Sequence, residues 1–342
     1  MSHLSTVSRA PAKDGLMHRD TSPVFIVGHA RSGTSLLTNL IREHLEIAFG
    51  TESQFIVRLS RGVTAFGDLT VEANRRKFVE SVASERFFAR SRKNYGFSFD
   101  IDAAVRQSVA GTYRSVLDTI FGQLAAQMGY ARWGDKTPEY AHHLPLLHDL
   151  YPEASFIHVI RDGRDVALST FETQFGAKNA WAAAHEWVRC LEDVQQFRQA
   201  YPAARILDVR YEDLLRQPDD VFQSLIAFLQ IAGPEGFASR ISAAVRGSLR
   251  VGNSEKWRAR FSSGEHDRFE SVAGRWLDRY GYERIAPKAT PAGRLGSWYW
   301  MADNLARRAS AGGYWRDSLY RLGLRLGAIG RPLRAFGNPR SR

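Results

Sequence analysis

The chain has 342 residues, 44% apolar and 24% charged, which is enough for one large core or two modest ones. Its single cysteine, Cys190, excludes an intrachain disulfide and a cysteine-rich metal site; read as a small buried hydrophobe on a helix, it suits a reducing compartment. The net charge of +11 is unevenly placed: residues 285–342 hold eleven Lys and Arg against Asp303 and Asp317, so +9 sits in a C-terminal extension, and the nearly neutral body argues against nucleic-acid binding.

Residues 1–22 mix Ser, Pro, Lys, Asp and His without an apolar run. They predict a disordered N-terminal tail rather than a signal peptide. No stretch approaches the ~20 apolar residues that cross a bilayer, so a cytoplasmic protein is expected. Residues 23–284 predict a single α/β domain. Residues 23–28 are a buried strand, and Leu36, Leu37, Leu40, Ile41 and Leu45 space a helix over 34–45. Residues 71–130 read as mainly helical. Arg75, Arg76, Lys77 and the basic cluster at 90–93 fit solvated faces there. Phe55, Phe66, Phe87, Phe88, Tyr95 and Phe97 fit either an acceptor cleft or core packing. Thr137-Pro138 starts a helix running to about Leu150. A strand at Phe156–Ile160, a helix from Arg164, a helix over Trp181–Tyr201, a strand at Arg205–Val209 and a helix from Pro218 to about Ile231 follow. This alternation predicts a P-loop-like parallel sheet flanked by helices.

Four segments carry chemistry. Gly28 to Ser35 fits the frame G-x-x-x-x-G-K-[ST], with Thr34 at the lysine position and Arg31 inside the loop. Its glycines let backbone N–H groups converge on an anion at a helix N-terminus. The missing lysine points to a phosphate-bearing nucleotide other than a triphosphate. Arg161 to Ser169 follows a strand, where ligands of open α/β sheets bind. Its plain alternative is a turn with an N-terminal helix salt bridge. Tyr211-Glu212-Asp213 also follows a strand, and Tyr211 suits either a purine contact or a core edge. The loop from Arg250 to Trp257 is polar and basic, and suits either closure over an anion or an ordinary surface loop anchored by Trp257.

Together the four segments resemble the sulfotransferases that use 3′-phosphoadenosine 5′-phosphosulfate, closest in motifs to the tyrosylprotein and carbohydrate branches. The resemblance covers roughly residues 23–280. It implies that Gly28, Arg31, Ser32, Gly33, Thr34 and Ser35 hold the 5′-phosphosulfate and that Arg161 and Ser169 hold the 3′-phosphate. Tyr211 would lie on the adenine side, and Arg250 and Gly252 on a phosphate loop in which Val251 replaces the family's lysine. Arg31 and Lys136 are then the catalytic cations. Glu52, in Gly50-Thr51-Glu52-Ser53, is the base, its pKa raised by burial or by the substrate complex. His29 is a second candidate base, with its pKa raised by neighbouring anions. The plain readings are a Lys136–Asp135 pair at a helix start and a Glu52 that serves a helix N-terminus. No metal is expected, and adjacent His142 and His143 point to different helix faces.

The acceptor reads only as a small molecule, glycan or lipid. Trp298-Tyr299-Trp300-Met301, followed by Trp315, Leu319, Leu322 and Leu324 among arginines, suits peripheral contact with an anionic membrane. A homodimer contact and a solvated tail compete with that reading. Two other functions stay open. One is a nucleotide or small-molecule kinase on a related fold, against which the absent lysine at position 34 counts. The other is a non-catalytic nucleotide-binding protein.

Overall fold

The computed structural model describes residues 16–248 and 252–310. Strand β1 (Met17–His18) leads to β2 (Val24–Gly28), the glycine loop, α1 (Thr34–His44) and β3 (Ile47–Phe49). A helical stretch follows: α2 (Phe55–Ser60), α3 (Glu72–Ala83), α4 (Arg86–Tyr95), α5 (Ile101–Gln107) and α6 (Tyr113–Met128). Next come β4 (Arg132–Lys136), a 3₁₀ turn at Pro138–His143, α7 (Leu144–Leu150), β5 (Ser155–Ile160), α8 (Gly163–Phe171) and α9 (Ala180–Ala200). The chain continues through β6 (Arg205–Arg210), α10 (Tyr211–Arg216), α11 (Pro218–Phe228), β7 (Ile231–Ala232) and α12 (Phe237–Ser248). Helices α13 (Trp257–Arg260), α14 (Ser263–Arg279) and α15 (Arg294–Ser310) complete it.

Five strands form one sheet in the order β3-β4-β2-β5-β6, every pair parallel, and β1 pairs antiparallel with β7. β2 and β5 are buried along their whole length, as strands covered on both faces must be. Phe25, Val27 and Phe156 face a core built with α2 to α6. Val24, Ile26, Ile157 and Val159 face a second core with α1 and α11. Phe55, Phe87, Phe88 and Phe97 pack against one another in the first core, so core packing accounts for them.

Three expectations change. β3 and β4 were not legible as strands; β4 reads Arg132-Trp133-Gly134-Asp135-Lys136, with Arg132 buried and ion-paired and Asp135 buried on a hydroxyl. Residues 16–22, expected in the N-terminal tail, belong to the body, and residues 1–15 lie outside the described residues. Arg132 donates to Ser22 O at 2.6 Å and to Leu229 O at 2.8 Å, and pairs with Asp20 at 3.3 Å. Arg75 is buried rather than solvated, and donates to the carbonyls of Val105, Leu69 and Thr70.

The charge that most shapes the site region is Arg164. It is fully buried, forks onto both oxygens of Asp162 at 3.0 and 2.7 Å, and reaches Glu270 on α14 at 2.9 Å. Its guanidinium lies 3.5 Å from the centre of the Trp257 ring. Asp162 also caps α8 by accepting Arg164 N–H, and its own N–H donates to Glu212 at the start of α10. Removing one partner of such a pair leaves uncompensated charge in a dry interior. Arg164→Ala should therefore lose about 3–5 kcal/mol of unfolding free energy in urea titrations; a loss under about 1 kcal/mol would show that the network is only decorative.

Candidate active site

Each strand of the large sheet delivers one element to its C-terminal edge. β2 ends in the glycine loop. Gly28, at φ 149°, crosses so close to β5 that a Cβ would meet Val159 O at 2.5 Å. Gly33, at φ 92°, starts α1, and a Cβ there would lie 2.3 Å from the Tyr211 ring. Tyr211, delivered by β6, is thus the floor under the loop. Arg31 holds φ 73°, a strained conformation for a side chain that reaches out of the loop.

β5 delivers Arg161. It donates to Arg31 O at 3.1 Å and Asn253 O at 2.7 Å, and its guanidinium stacks 4.7 Å from the Tyr211 ring. The eight-residue spacing to Ser169 spans two turns of α8 and places the hydroxyl at the same end of the cleft. There Ser169 Oγ accepts from Arg31 Nε at 2.9 Å. Arg31 therefore meets the Arg161–Ser169 side of the cleft through its Nε. The plain reading of the segment is seen in Asp162 and Arg164, which form a salt-bridged turn, while Arg161 lines the cleft.

β4 and β3 deliver Lys136 and Glu52. Lys136 Nζ lies 2.7 Å from Glu52 Oε1 and 3.1 Å from Ser35 Oγ; it pairs with Glu52 and not with Asp135. The loop that carries Glu52 is pinned on both sides. Thr51 N–H donates to Ser91 Oγ on α4, and Ser53 N–H donates to Thr137 Oγ1 beyond β4. The Glu52 side chain is 35% exposed and lines the cleft, not a helix start. Below it, Asp135 accepts from Thr137 Oγ1 at 2.8 Å, and burial pushes its carboxyl up to about 7. Without a ligand, burial lowers the pKa of His29, and its Nδ1 is engaged with Ala30 O at 2.8 Å.

One cleft of about 1000 Å³, at the upper end of the range for ligand pockets, opens at this edge; Lys136 is not among its lining residues but is bonded to two that are, Glu52 and Ser35. Arg31, Gly33, Thr34, Ser35, Glu52, Arg161, Ser169, Tyr211 and Gly252 all line it. Gly28 and Ser32 shape the loop behind it, and Arg250 lies outside the described residues. Sequence reasoning left Asn253 and Asp165 without a role. Asn253 joins Arg161 to the Tyr211 hydroxyl, its Nδ2 donating at 2.8 Å. Asp165 accepts the N–H groups of Glu255 and Trp257, and so fastens the fourth segment to α8. Its signal was a second acid in Arg161-Asp162-Gly163-Arg164-Asp165, one helical turn beyond the arginine.

The profile described as "Sulfotransferase family" matches residues 23–235. The nodulation protein NoeE of Sinorhizobium fredii is 30% identical over 244 residues, covering 62% of this chain and 52% of NoeE. Protein-tyrosine sulfotransferase 1 of Danio rerio is 24% identical over 229 residues, covering 63% and 55%. The match thus spans about half the length of these relatives. A sulfotransferase domain from the curacin biosynthetic pathway superposes with a TM-score of 0.46 at 18% identity, covering 78% of this chain and 99% of that domain.

A carboxyl raised from its ordinary value to about 7 binds its proton more tightly in the fold than in the unfolded chain. The stabilisation is complete below the unfolded value and is lost as pH rises through about 7. Asp135→Asn should therefore gain melting temperature over the parent chain at about pH 8 relative to about pH 4.5. Parallel pH–stability curves for the two chains would refute a strained Asp135 carboxylate.

Proposed function

The chain belongs to the sulfotransferase family, and from that premise we propose that its cleft takes 3′-phosphoadenosine 5′-phosphosulfate and moves the sulfuryl group to a hydroxyl or amine acceptor. One observation carries the reading. The strands flanking the glycine loop each bring a cation, Lys136 from β4 and Arg161 from β5, so two anionic groups can be held on either side of the α1 N-terminus. A donor with a 3′-phosphate and a 5′-phosphosulfate has that distribution of charge.

The residues suit such a ligand. Arg161 Nε is buried with no partner among the described residues, so an incoming oxyanion would satisfy a donor that is otherwise idle. When bound, the donor supplies an activated sulfuryl group on a phosphate leaving group. The backbone N–H groups at the start of α1 face that phosphate and add the helix's positive end. Glu52 takes the proton of the acceptor hydroxyl as its oxygen bonds to sulfur. Lys136, held between Ser35 and Glu52, faces the oxygen that leaves with the electron pair. Arg161, Ser169 and Arg31 fix the opposite, 3′-phosphate end, and positioning of this kind makes up much of the rate enhancement in group transfer.

Calorimetric titration with 3′-phosphoadenosine 5′-phosphate, against ATP–Mg²⁺ as comparator, tests the donor. Binding of the bisphosphate and not of ATP is expected; preference for ATP would overturn the reading. Arg161→Met and Arg31→Ala should each weaken bisphosphate binding by about tenfold or more, as loss of a charge-assisted phosphate contact does. Glu52→Gln should lower turnover about 10²–10⁴-fold with bisphosphate affinity retained. Normal turnover in that variant would remove Glu52 from the role of base.

A further inference from the structure

Helix α15 is mounted the wrong way round for a surface helix. Such a helix ordinarily buries its apolar stripe and shows its polar face to water. Here the polar side is the one that docks. Asn304 Oδ1 accepts from Lys178 N–H at 2.7 Å, and Asn179 Nδ2 donates to Trp300 O and to Asp303, each at 2.8 Å. Arg268 of α14 stacks 4.6 Å from the Trp300 ring on the same side. The opposite side carries Leu295, Trp298, Met301 and Leu305, recurring every three or four residues, with Tyr299 beside them. They are 88%, 70%, 52%, 52% and 62% exposed. A continuous apolar stripe of this kind marks a contact surface.

Charge selects what covers it. Arg294 opens the helix and Arg307 and Arg308 close it, with Asp303 as its only acid. The sequence beyond it, residues 311–342, holds seven arginines against Asp317, interleaved with Trp315, Leu319, Leu322 and Leu324. An apolar stripe with Trp and Tyr, bordered by arginines and continued by a basic aromatic sequence, matches the chemistry of an anionic bilayer surface. Apolar groups enter the acyl boundary, Trp and Tyr sit at headgroup depth, and arginines meet lipid phosphates. Among the described residues no helix is long and apolar enough to cross a membrane, so the contact would be along the surface.

We propose that α15 is a docking surface for anionic lipid bilayers that brings the mouth of the cleft to the membrane. The link is short. In the connection between α8 and α9, Glu172 and Phe175 line the cleft, while Lys178 and Asn179 hold α15. An acceptor hydroxyl on a lipid or lipid-linked glycan would be presented at that side. This last step rests on the transfer reading above, whereas membrane docking does not.

The test is co-sedimentation of the full chain, without donor, with vesicles of phosphatidylcholine containing about 30% phosphatidylserine, and with vesicles of phosphatidylcholine alone. The expected result is binding to the anionic vesicles that salt weakens, and at least a tenfold lower partition coefficient for the triple variant Leu295→Glu, Trp298→Glu, Leu305→Glu. Unchanged bisphosphate titration would certify that the variant is folded. Equal vesicle binding by the variant would overturn the proposal, placing any lipid affinity elsewhere in the chain. No binding by the parent chain would overturn it too. In that case, sedimentation velocity showing a parent dimer and a variant monomer would assign the stripe to a second copy. A monomeric parent destabilised by the triple substitution would assign it to residues 311–342. Failure of the bisphosphate titration alone would sink the transfer reading and leave docking standing.

Discussion

The site depends on one buried cation. Arg164 lies under the C-terminal edge of β5 with no access to water, and three other elements reach it there: Asp162 at the strand end, Glu270 from α14 and the face of Trp257. A desolvated guanidinium tolerates little displacement, because each lost contact leaves charge uncompensated in a poorly polarisable medium. The turn after β5 is thereby held in one geometry, and Arg161 and Asp165 project from it. Asp165 then receives the N–H groups of Glu255 and Trp257, so the loop that brings Asn253 to Arg161 is set by the same knot. Glu212 extends the network to α10 by accepting Asp162 N–H and the Tyr282 hydroxyl.

The cleft keeps its donors ready without locking them to acids. Arg161 rests mainly on two backbone carbonyls, with the Asp165 carboxylate farther off at 3.6 Å, and Arg31 rests on a serine hydroxyl. Neutral acceptors are weaker competitors for a guanidinium than a phosphate is. Two cations differ: Arg260 pairs with Glu172, and Lys136 pairs with the Glu52 carboxylate. That pair holds a cation and a carboxylate side by side where the loop from β2 and the ends of β3 and β4 meet. A group-transfer site needs such a pairing, because charge appears on the leaving group as a proton is taken from the acceptor.

The inverted mounting of α15 follows from what the body offers it. The turn before α9 presents Lys178 N–H and the Asn179 amide, polar groups that ask for polar partners. Helix α15 supplies them from Asn304, Asp303 and the Trp300 carbonyl, which turns its apolar residues outward. A single connection, residues 172–179, thus joins the cleft at one end to that exposed stripe at the other.

The sequence by itself determined the strand–loop–helix around Gly28 to Ser35, the strands before Arg161 and Tyr211, and the family likeness, because short apolar runs followed by glycine turns are local signals. It also named Glu52 and Lys136, which proved to be partners although 84 residues separate them. Strands β3 and β4 escaped notice: three residues are too few to show a period, and Arg132 and Asp135 disguise a buried strand in which distant groups meet Arg132 and the Thr137 hydroxyl meets Asp135. Arg75 was misread for the same reason, since its carbonyl partners lie on other turns of the chain. Only the tertiary structure could decide that Arg31 reaches Ser169, that Arg164 rather than Arg161 is the structural arginine, and that α15 faces outward. Each is a choice among partners far apart in sequence, and composition or periodicity records which residues want a partner but not which one they meet.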